Sequence, residues 1–557
     1  MIQIGIVLLI AFLLVIPVGS YLYKVSTGEK GKFDVVFDKI DNMIYKFTGI
    51  DKSYEMTWKE YALAVIILNG IICIVGYIIL RLQGLLFLNP NKIKDMEQGL
   101  SFNTAISFIT NTNLQDYAGE NGVSYLSQMV VMTFFMFVAA GTGFAAALAF
   151  MRGIIGKKKS FGNFFVDFTR VITRVLLPFS IILAFVLIAE GVPQTLSANL
   201  TVTTIEGKFQ DLALGPVASL EAIKQLGTNG GGFFAANSAH PFENPTAITN
   251  LLEILAMMLL PSSLVYTFGL MLKNKKQGWA IFGAMAFLFV IMLPVCYFAE
   301  KAGNPALAHI GLNQAMGIME GKEVRFGIAQ SSLFVTATTA FTTGAVNTMH
   351  DSLMPLGQLV ALWNMFLNVV FGGKGVGFMG MIMYAIITVF ICGLMVGRTP
   401  EFLGKKIEGK EVKLVAFAIL IHPILILIPT AIALKLSAGL SAISNPGAHG
   451  FTQILYQYTT AAANNGSSLA GMSVNNVYWN VTTGITMFLG RYLSMILLLA
   501  VAGSLASKQS VPESIGTFRT DNLQFVIILI CIVVIIGALT FLPALVLGPV
   551  TEHLNLF

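Results

Sequence analysis

The sequence predicts an all-α polytopic membrane protein: four pseudo-repeated helix–pore loop–helix units plus two extra spans, about ten transmembrane helices in all. Three observations carry that prediction. The 557 residues are 55% hydrophobic and only 11% charged, with a mean hydropathy of +0.77, whereas soluble domains carry roughly 25% charged residues. Apolar stretches long enough to cross a ~30 Å hydrocarbon core recur along the chain. Between them, short half-apolar segments ending in small polar residues recur at a near-constant period.

The apolar runs fall near 2–23, 61–83, 125–150, 171–192, 249–272, 279–299, 378–397, 412–434, 478–506 and 524–547. The first run precedes the first basic residue, Lys24, which reverses the order of a cleaved signal peptide, so Ile2–Tyr23 reads as a retained span. Sorting the basic residues sets the direction. With the N-terminus outside, segments 24–60, 151–174, 273–278, 398–413 and 508–519 lie inside and hold 23 of the 34 Lys and Arg residues; the outer segments hold 9, and Lys374 and Arg491 lie at membrane depth. By the positive-inside rule both termini lie outside a cell membrane crossed many times.

Four outer loops share one chemistry: "SFNTAISFITNTNLQ" (101–115), "SLEAIKQLGTNGGGF" (219–233), "LFVTATTAFTTGAVN" (333–347) and "ILYQYTTAAANNGSS" (454–468). Anchored on Asn111, Asn229, Thr343 and Asn465, they are spaced 118, 114 and 122 residues apart. The organisation expected is an N-terminal span and inner loop (1–60), repeats at 61–150, 171–272, 279–397 and 412–506, and a C-terminal span (524–557).

Irregular backbone at membrane depth is tolerated where it is buried in protein or lines a wet cavity. Four such loops around one axis match the way cation filters are built, with rings of backbone carbonyls replacing an ion's water shell. Glycine supplies the φ/ψ freedom that aims successive carbonyls at one axis, and the short preceding helix points its negative dipole end at the ion. Asn and Thr orient the loop or lend a side-chain oxygen. The competing reading of any one loop is an ordinary Gly/Asn turn; four at a constant period favour a pore.

The third repeat is too long for one helix. From Asp351 to Arg398 is 47 residues, about 70 Å of continuous helix and more than twice the hydrocarbon core. "FGGKGVGFMG" (371–380) interrupts it, so a helix to about Phe371, a broken intramembrane segment suited to gating and a second helix to about Val396 are expected. A kink followed by a surface helix is the alternative.

Arg491, mid-span in "MFLGRYLSM", reads either as an electrostatic barrier below the filter or as a cap on helix carbonyls. His422 in "LIHPIL" reads as a packing residue beside a proline kink. Asp116, Glu120 and Glu243 flank the loops, either as cation-concentrating carboxylates or as solvated surface. Cys73, Cys296, Cys392 and Cys531 lie in apolar runs without metal-site spacing. The sequence holds no GxxxxGK[ST] phosphate loop, DKTG-type phosphorylation motif or HExxH. The longest inner loop, 37 residues, leaves no room for nucleotide chemistry. A membrane-embedded enzyme would need His, Asp or Glu clustered within the spans. Five of the six histidines lie outside them.

"SFITNTNLQDYAGE" (107–120), "GPVASLEAIKQLGTNGGGFFAANSAHPFENPTAITN" (215–250), "GRTPEFLGKKIE" (397–408), "NPGAHGF" (445–451) and "GALTFLPALVLGPV" (537–550) closely resemble the potassium-binding A-subunit family (KdpA) of the bacterial Kdp potassium-transporting ATPases, over essentially the whole chain. The resemblance implies a four-repeat potassium-transporter fold shared with channels and Trk-type symporters, in a bacterial inner (plasma) membrane. It also implies a complex with a P-type ATPase B subunit, a single-span C subunit and a small F subunit. In that family the A subunit selects K+ from outside, and the ion passes through a tunnel to the subunit that hydrolyses ATP. Carried over residue by residue, the potassium filter falls on Asn111, Thr112 and Asn113; Thr228, Asn229, Gly230, Gly231 and Gly232; Thr342, Thr343 and Gly344; and Asn464, Asn465 and Gly466. Gln115 matches a filter-proximal position; Gly372, Gly373, Lys374 and Gly375 match the gating region, and Arg491 the arginine below the filter. Two positions depart from some members: Thr343 replaces Cys, and Asn368 replaces Glu at the exit.

The function expected is thus the potassium-binding and translocating subunit of an ATP-driven uptake pump, with no catalytic site and no bound nucleotide of its own. An autonomous channel or Trk-type ion-coupled symporter on the same fold is the alternative, and only the family-specific blocks separate the two.

Overall fold

The computed structural model describes residues 2–29, 31, 34–156, 160–373, 375–397, 399–510 and 518–556. Among them, ten helices are long and apolar enough to cross a membrane: Ile2–Thr27, Trp58–Arg81, Tyr125–Ile155, Phe164–Ala189, Ala247–Met271, Lys275–His309, Val376–Met395, Gly409–Ala433, Val477–Ala506 and Leu523–Leu556. Their peripheral members keep apolar side chains exposed, such as Ile6, Leu13, Ile71, Ile182 and Leu539, the surface a lipid-facing helix needs. Tyr125–Ile155 and Ala247–Met271 are instead mostly buried and form the inner wall.

The fourth span begins earlier than the apolar run indicates, at Phe164 rather than near residue 171, through a π-helical turn over Ile172–Leu176. Arg174 explains the polar entry: its guanidinium reaches Asp34 at 3.3 Å and Asp38 and Asp41 at 2.7 Å. The three aspartates lie on the amphipathic helix Asp34–Thr48, which the search for apolar runs does not reveal.

Four short helices stop inside the bundle: Gln98–Ile109, Val217–Leu226, Gly327–Ala340 and Gly447–Ala463. Each precedes one of the four loops anticipated from the period, so their C-terminal ends converge on the loops. The small antiparallel hairpin Leu200–Thr203 with Phe209–Leu212 decorates the loop before the second short helix.

In the third unit the helix Pro355–Leu367 ends four residues before the expected Phe371, because Asn368 adopts a left-handed conformation (φ 48). Residues 369–373 and Gly375 are non-helical, and the helix restarts at Val376. The third unit thus holds two helices, Pro355–Leu367 and Val376–Val396, in place of one long one. Lys374 and Arg398 lie outside the described residues.

The basic segments share one face. Met56 pairs through backbone with Gly162, Lys405 donates to the carbonyl of Gly156 at 2.6 Å, Asn274 to Asp521 at 3.3 Å, and Lys508 meets Glu408 and Glu411. The opposite face gathers the loop mouths: Asn91 meets Asn199 at 3.0 Å, and Arg325 donates to the Ala239 carbonyl at 2.7 Å.

Candidate functional site

The four loops repeat one backbone pattern. Within two residues of the end of each short helix the chain turns left-handed, at Asn111 (φ 63), Thr228 (φ 44), Thr342 (φ 50) and Asn464 (φ 55). Two residues on it does so again, at Asn113 (φ 58), Gly230 (φ 102), Gly344 (φ 89) and Gly466 (φ 100). Non-glycine residues rarely take positive φ, β-branched threonine least readily, so five non-glycine instances among eight aligned positions mark a constructed feature. Each loop is tied back to its own helix by the same bond, from the residue between the two turns to a carbonyl five positions earlier. Thr112 donates to Ser107 at 3.0 Å, Asn229 to Lys224 at 2.9 Å, Thr343 to Thr338 at 2.8 Å and Asn465 to Thr460 at 3.0 Å.

The loops also interlock in a ring. A Cβ on Gly230 would overlap the carbonyl oxygen of Thr343; one on Gly344 would overlap that of Asn465, and one on Gly466 that of Thr112. At the remaining junction Asn111 Nδ2 donates to the Thr228 carbonyl at 2.6 Å, and the side-chain amides of Asn111 and Asn229 meet at 2.9 Å. Asn113 stands where the other loops carry glycine, and Gly231 makes room for it: a Cβ there would lie 2.9 Å from the Asn113 Cβ. Asn464 Nδ2 adds a bond to Thr112 Oγ1 at 2.9 Å, and Asn465 Nδ2 one to the Thr338 carbonyl at 2.9 Å. Gln115 clamps Gly232 from both sides, donating to its carbonyl at 3.1 Å and accepting its N–H at 2.8 Å. Every filter residue expected from the sequence thus falls in one interlocked assembly. Its centre is buried, with Thr112, Thr228, Asn229, Thr343 and Asn465 showing no exposed surface, while Gly466 and Gln115 are half-buried.

Directly beneath lies the broken segment. A Cβ on Gly373 would sit 3.4 Å from the Thr342 carbonyl and 3.7 Å from Thr228 Oγ1, so this backbone fills the space under two loops. The Gly372 N–H donates to the Ala340 carbonyl at 3.0 Å, and Phe371 stacks on Phe341 at 4.8 Å. Thr342 Oγ1 donates to Asn368 Oδ1 at 3.0 Å, and Asn368 Nδ2 reaches the Ala463 carbonyl at 3.4 Å. A cavity of about 70 Å³ opens from Asn368 and Asn464 past Val376 and Gly380 toward His422. His422 itself pairs with the Met365 carbonyl at 2.9 Å, in keeping with a packing role. Arg491 is buried and donates to the carbonyl of Ala139 at 3.0 Å, which is the carbonyl-capping geometry.

The flanking carboxylates differ from the sequence expectation. Glu243 is neither solvated nor facing the mouth: it has no exposed surface and pairs with Lys224 at 2.6 Å, while its other oxygen accepts the Phe234 N–H at 2.7 Å. Glu120 is half-buried and accepts the Ala235 N–H at 2.9 Å. Both Asp116 oxygens are shielded from solvent without a protein partner. Sequence reasoning missed Lys224 and Asn237 altogether, because one Lys and one Asn in an outer loop carry no pattern until the fold pairs them.

Further out, His449 bridges Asp351 at 3.0 Å and Glu552 at 2.9 Å, tying the fourth short helix to the C-terminal helix. Burial alone would lower the His449 pKa, but the two hydrogen bonds and the two negative charges carry it up to about 9.

The sequence model of one family, described as potassium-transporting ATPase A subunit (KdpA), matches residues 5–554. A potassium-transporting ATPase potassium-binding subunit from Clostridium acetobutylicum is 63% identical over 554 residues, covering 100% of this chain and 99% of that protein. One of the same description from Geobacillus kaustophilus is 55% identical with the same coverage. Among solved structures, the potassium transporter TrkH from Vibrio parahaemolyticus is similar in fold, with a TM-score of 0.55 at 14% identity, over 90% of this chain and 98% of that one.

Proposed function

The chain belongs to the family of potassium-transporting ATPase A subunits and is the non-catalytic, potassium-binding and translocating subunit of a Kdp ATPase complex, and from that premise we propose that its ring of four loops is the potassium filter. The observation that carries this reading is the shared backbone pattern, two left-handed turns per loop with a glycine or Asn113 packed on the neighbouring loop. Such packing fixes the ring's diameter through backbone, and carbonyls held at a fixed spacing replace the hydration shell of one ion size better than another. The converging ends of the short helices add their negative dipole ends. Asn111–Asn113, Thr228–Gly232, Thr342–Gly344 and Asn464–Gly466 line the path, and Gln115 holds the second loop in register.

Below the ring, Asn368 and the glycines Gly372, Gly373 and Gly375 form the gate, and Arg491 stiffens the wall beside it. Lys374 belongs to the same segment by sequence. The cavity running from Asn368 toward His422 is the exit route. It is lined by residues of the surrounding helices, among them Met383, His422, Ser494 and Thr540.

The partners proposed are a P-type ATPase B subunit, a single-span C subunit and a small F subunit, with ATP bound by the B subunit and not by this chain. Both termini lie outside the bacterial plasma membrane in this reading, supported by the basic segments gathered on the face opposite the loop mouths. The test is transport by the purified complex after Gly231→Asp, which puts a charged side chain between Asn113 and the second loop. Weakened potassium affinity or lost discrimination against sodium is expected; unchanged kinetics would remove this loop from the filter.

A further inference from the structure

The position five residues before the middle of each filter loop is Ser107, Lys224, Thr338 or Thr460. In the third and fourth loops the threonine hydroxyl does local work. Thr338 Oγ1 accepts the N–H of Gly344 and Thr460 Oγ1 that of Gly466, each at 2.9 Å. Ser107 Oγ donates to the Leu114 carbonyl at 2.8 Å. The second loop has an ammonium group there instead, and no exposed surface on its side chain.

A buried ammonium beside a cation path would repel the ion and carries a large desolvation cost unless paired. Lys224 Nζ lies 2.6 Å from Glu221, 2.6 Å from Glu243 and 2.8 Å from Asn237 Oδ1. Gln225 links Glu221 at 2.9 Å to Glu253 at 3.0 Å, so two buried carboxylates contact the ammonium and a third joins the cluster through Gln225. The far end of the arrangement touches the filter. Asn237 Nδ2 donates to the Gly230 carbonyl at 2.8 Å, and Asn237 Oδ1 also accepts the N–H of Val346 from the third loop at 3.2 Å.

We propose that Lys224 is a positioning residue for potassium: acting through Asn237 it fixes the carbonyl of Gly230 and the spacing between the second and third loops, and so sets affinity and ion discrimination. The ammonium orients the amide, because only Oδ1 can face it, which leaves Nδ2 to hold the filter carbonyl. Glu221 and Glu243 hold the ammonium in place and cancel its repulsion of the ion. The second loop thus has its glycine carbonyl held by Lys224 through Asn237, where in the third and fourth loops a threonine hydroxyl holds the glycine N–H directly. The inference rests on the filter reading above.

The experiment compares Asn237→Asp, Asn237→Ala and Lys224→Met in the whole complex, reading half-saturation by potassium and by rubidium in ATP hydrolysis. Asn237→Asp keeps an oxygen for Lys224 but loses the donor to Gly230. It should raise half-saturation by potassium roughly tenfold and narrow the potassium-to-rubidium ratio, with the maximal rate held within about twofold. Lys224→Met should do the same where it assembles; where it does not, the two Asn237 variants decide. Gly344→Ser separates the two ideas. If it shifts half-saturation while the Asn237 variants do not, the Lys224 role is overturned and the filter stands. If Gly344→Ser also has no effect, the filter reading itself fails. A fall in maximal rate at unchanged half-saturation would make the cluster structural and likewise overturn the proposal.

Discussion

Gly466 packs its α-carbon against the carbonyl oxygen of Thr112, closing a ring between the last loop of the chain and the first. Any Cβ at Gly466 would overlap that oxygen, and its φ of 100 is a conformation side chains rarely adopt. Affinity should therefore depend on this glycine out of proportion to its size.

Gly466→Ala is expected to raise the potassium concentration for half-maximal uptake at least roughly tenfold, because relief of the overlap must move Thr112 or the loop. Gly283→Ala, where a Cβ meets nothing within 4 Å, serves as the control and should match the parent. Rubidium uptake into proteoliposomes reads both.

Arg491→Ala removes the side-chain donor to the Ala139 carbonyl and opens space in a buried wall. Transport rate should fall by more than affinity changes, since the filter contacts themselves are intact. A loss confined to protein abundance, measured by immunoblot of membranes, would assign Arg491 a purely structural role.

Asn368→Ala removes both the acceptor of the Thr342 hydroxyl and the donor to the Ala463 carbonyl. The segment beneath the filter then loses its tie to the third and fourth loops. Passive rubidium leak in the absence of ATP should rise, while half-saturation by potassium changes by less than about threefold. No leak above the parent would show that Asn368 does not restrain the gate.

His449 gives a pH prediction of defined sign. Its folded pKa of about 9 lies above the usual histidine value, so its stabilisation is complete below about pH 6.5 and disappears as pH rises through 9. The contribution is on the order of 3 kcal/mol at most. Thermal unfolding of the solubilised complex should drop between pH 7 and 9.5, and His449→Gln should flatten that drop. Equal slopes in both proteins would refute the bridge's role.

Much of this architecture is legible in the sequence because apolar length and repeat spacing are one-dimensional signals. The four loops, the interrupted third unit and the ten spans all follow from such signals. Within each loop, the glycines at 230, 344 and 466 stand out as special, whereas the left-handed Thr228 and Thr342 do not. Threonine avoids that conformation on its own, and only the packed ring imposes it. The buried pairings are equally hidden. Lys224 and Glu243 are 19 residues apart and look like surface charges until the second loop folds over them. His449 with Asp351 and Glu552 joins three distant segments that share no spacing rule. The end of the helix at Leu367 escapes a reading based on glycine because the left-handed cap is an asparagine, Asn368, and the visible glycines begin four residues later.

The most direct measurement is potassium-stimulated ATP hydrolysis by the complex purified from potassium-starved membranes through a tag on this chain, with and without Gly231→Asp. Hydrolysis that co-purifies, rises with potassium and needs far more potassium in the variant is the predicted result. It would place the ion-selecting step of the pump in the ring of four loops. A chain that purifies alone and passes rubidium down a gradient, or a variant indistinguishable from the parent, would contradict that account.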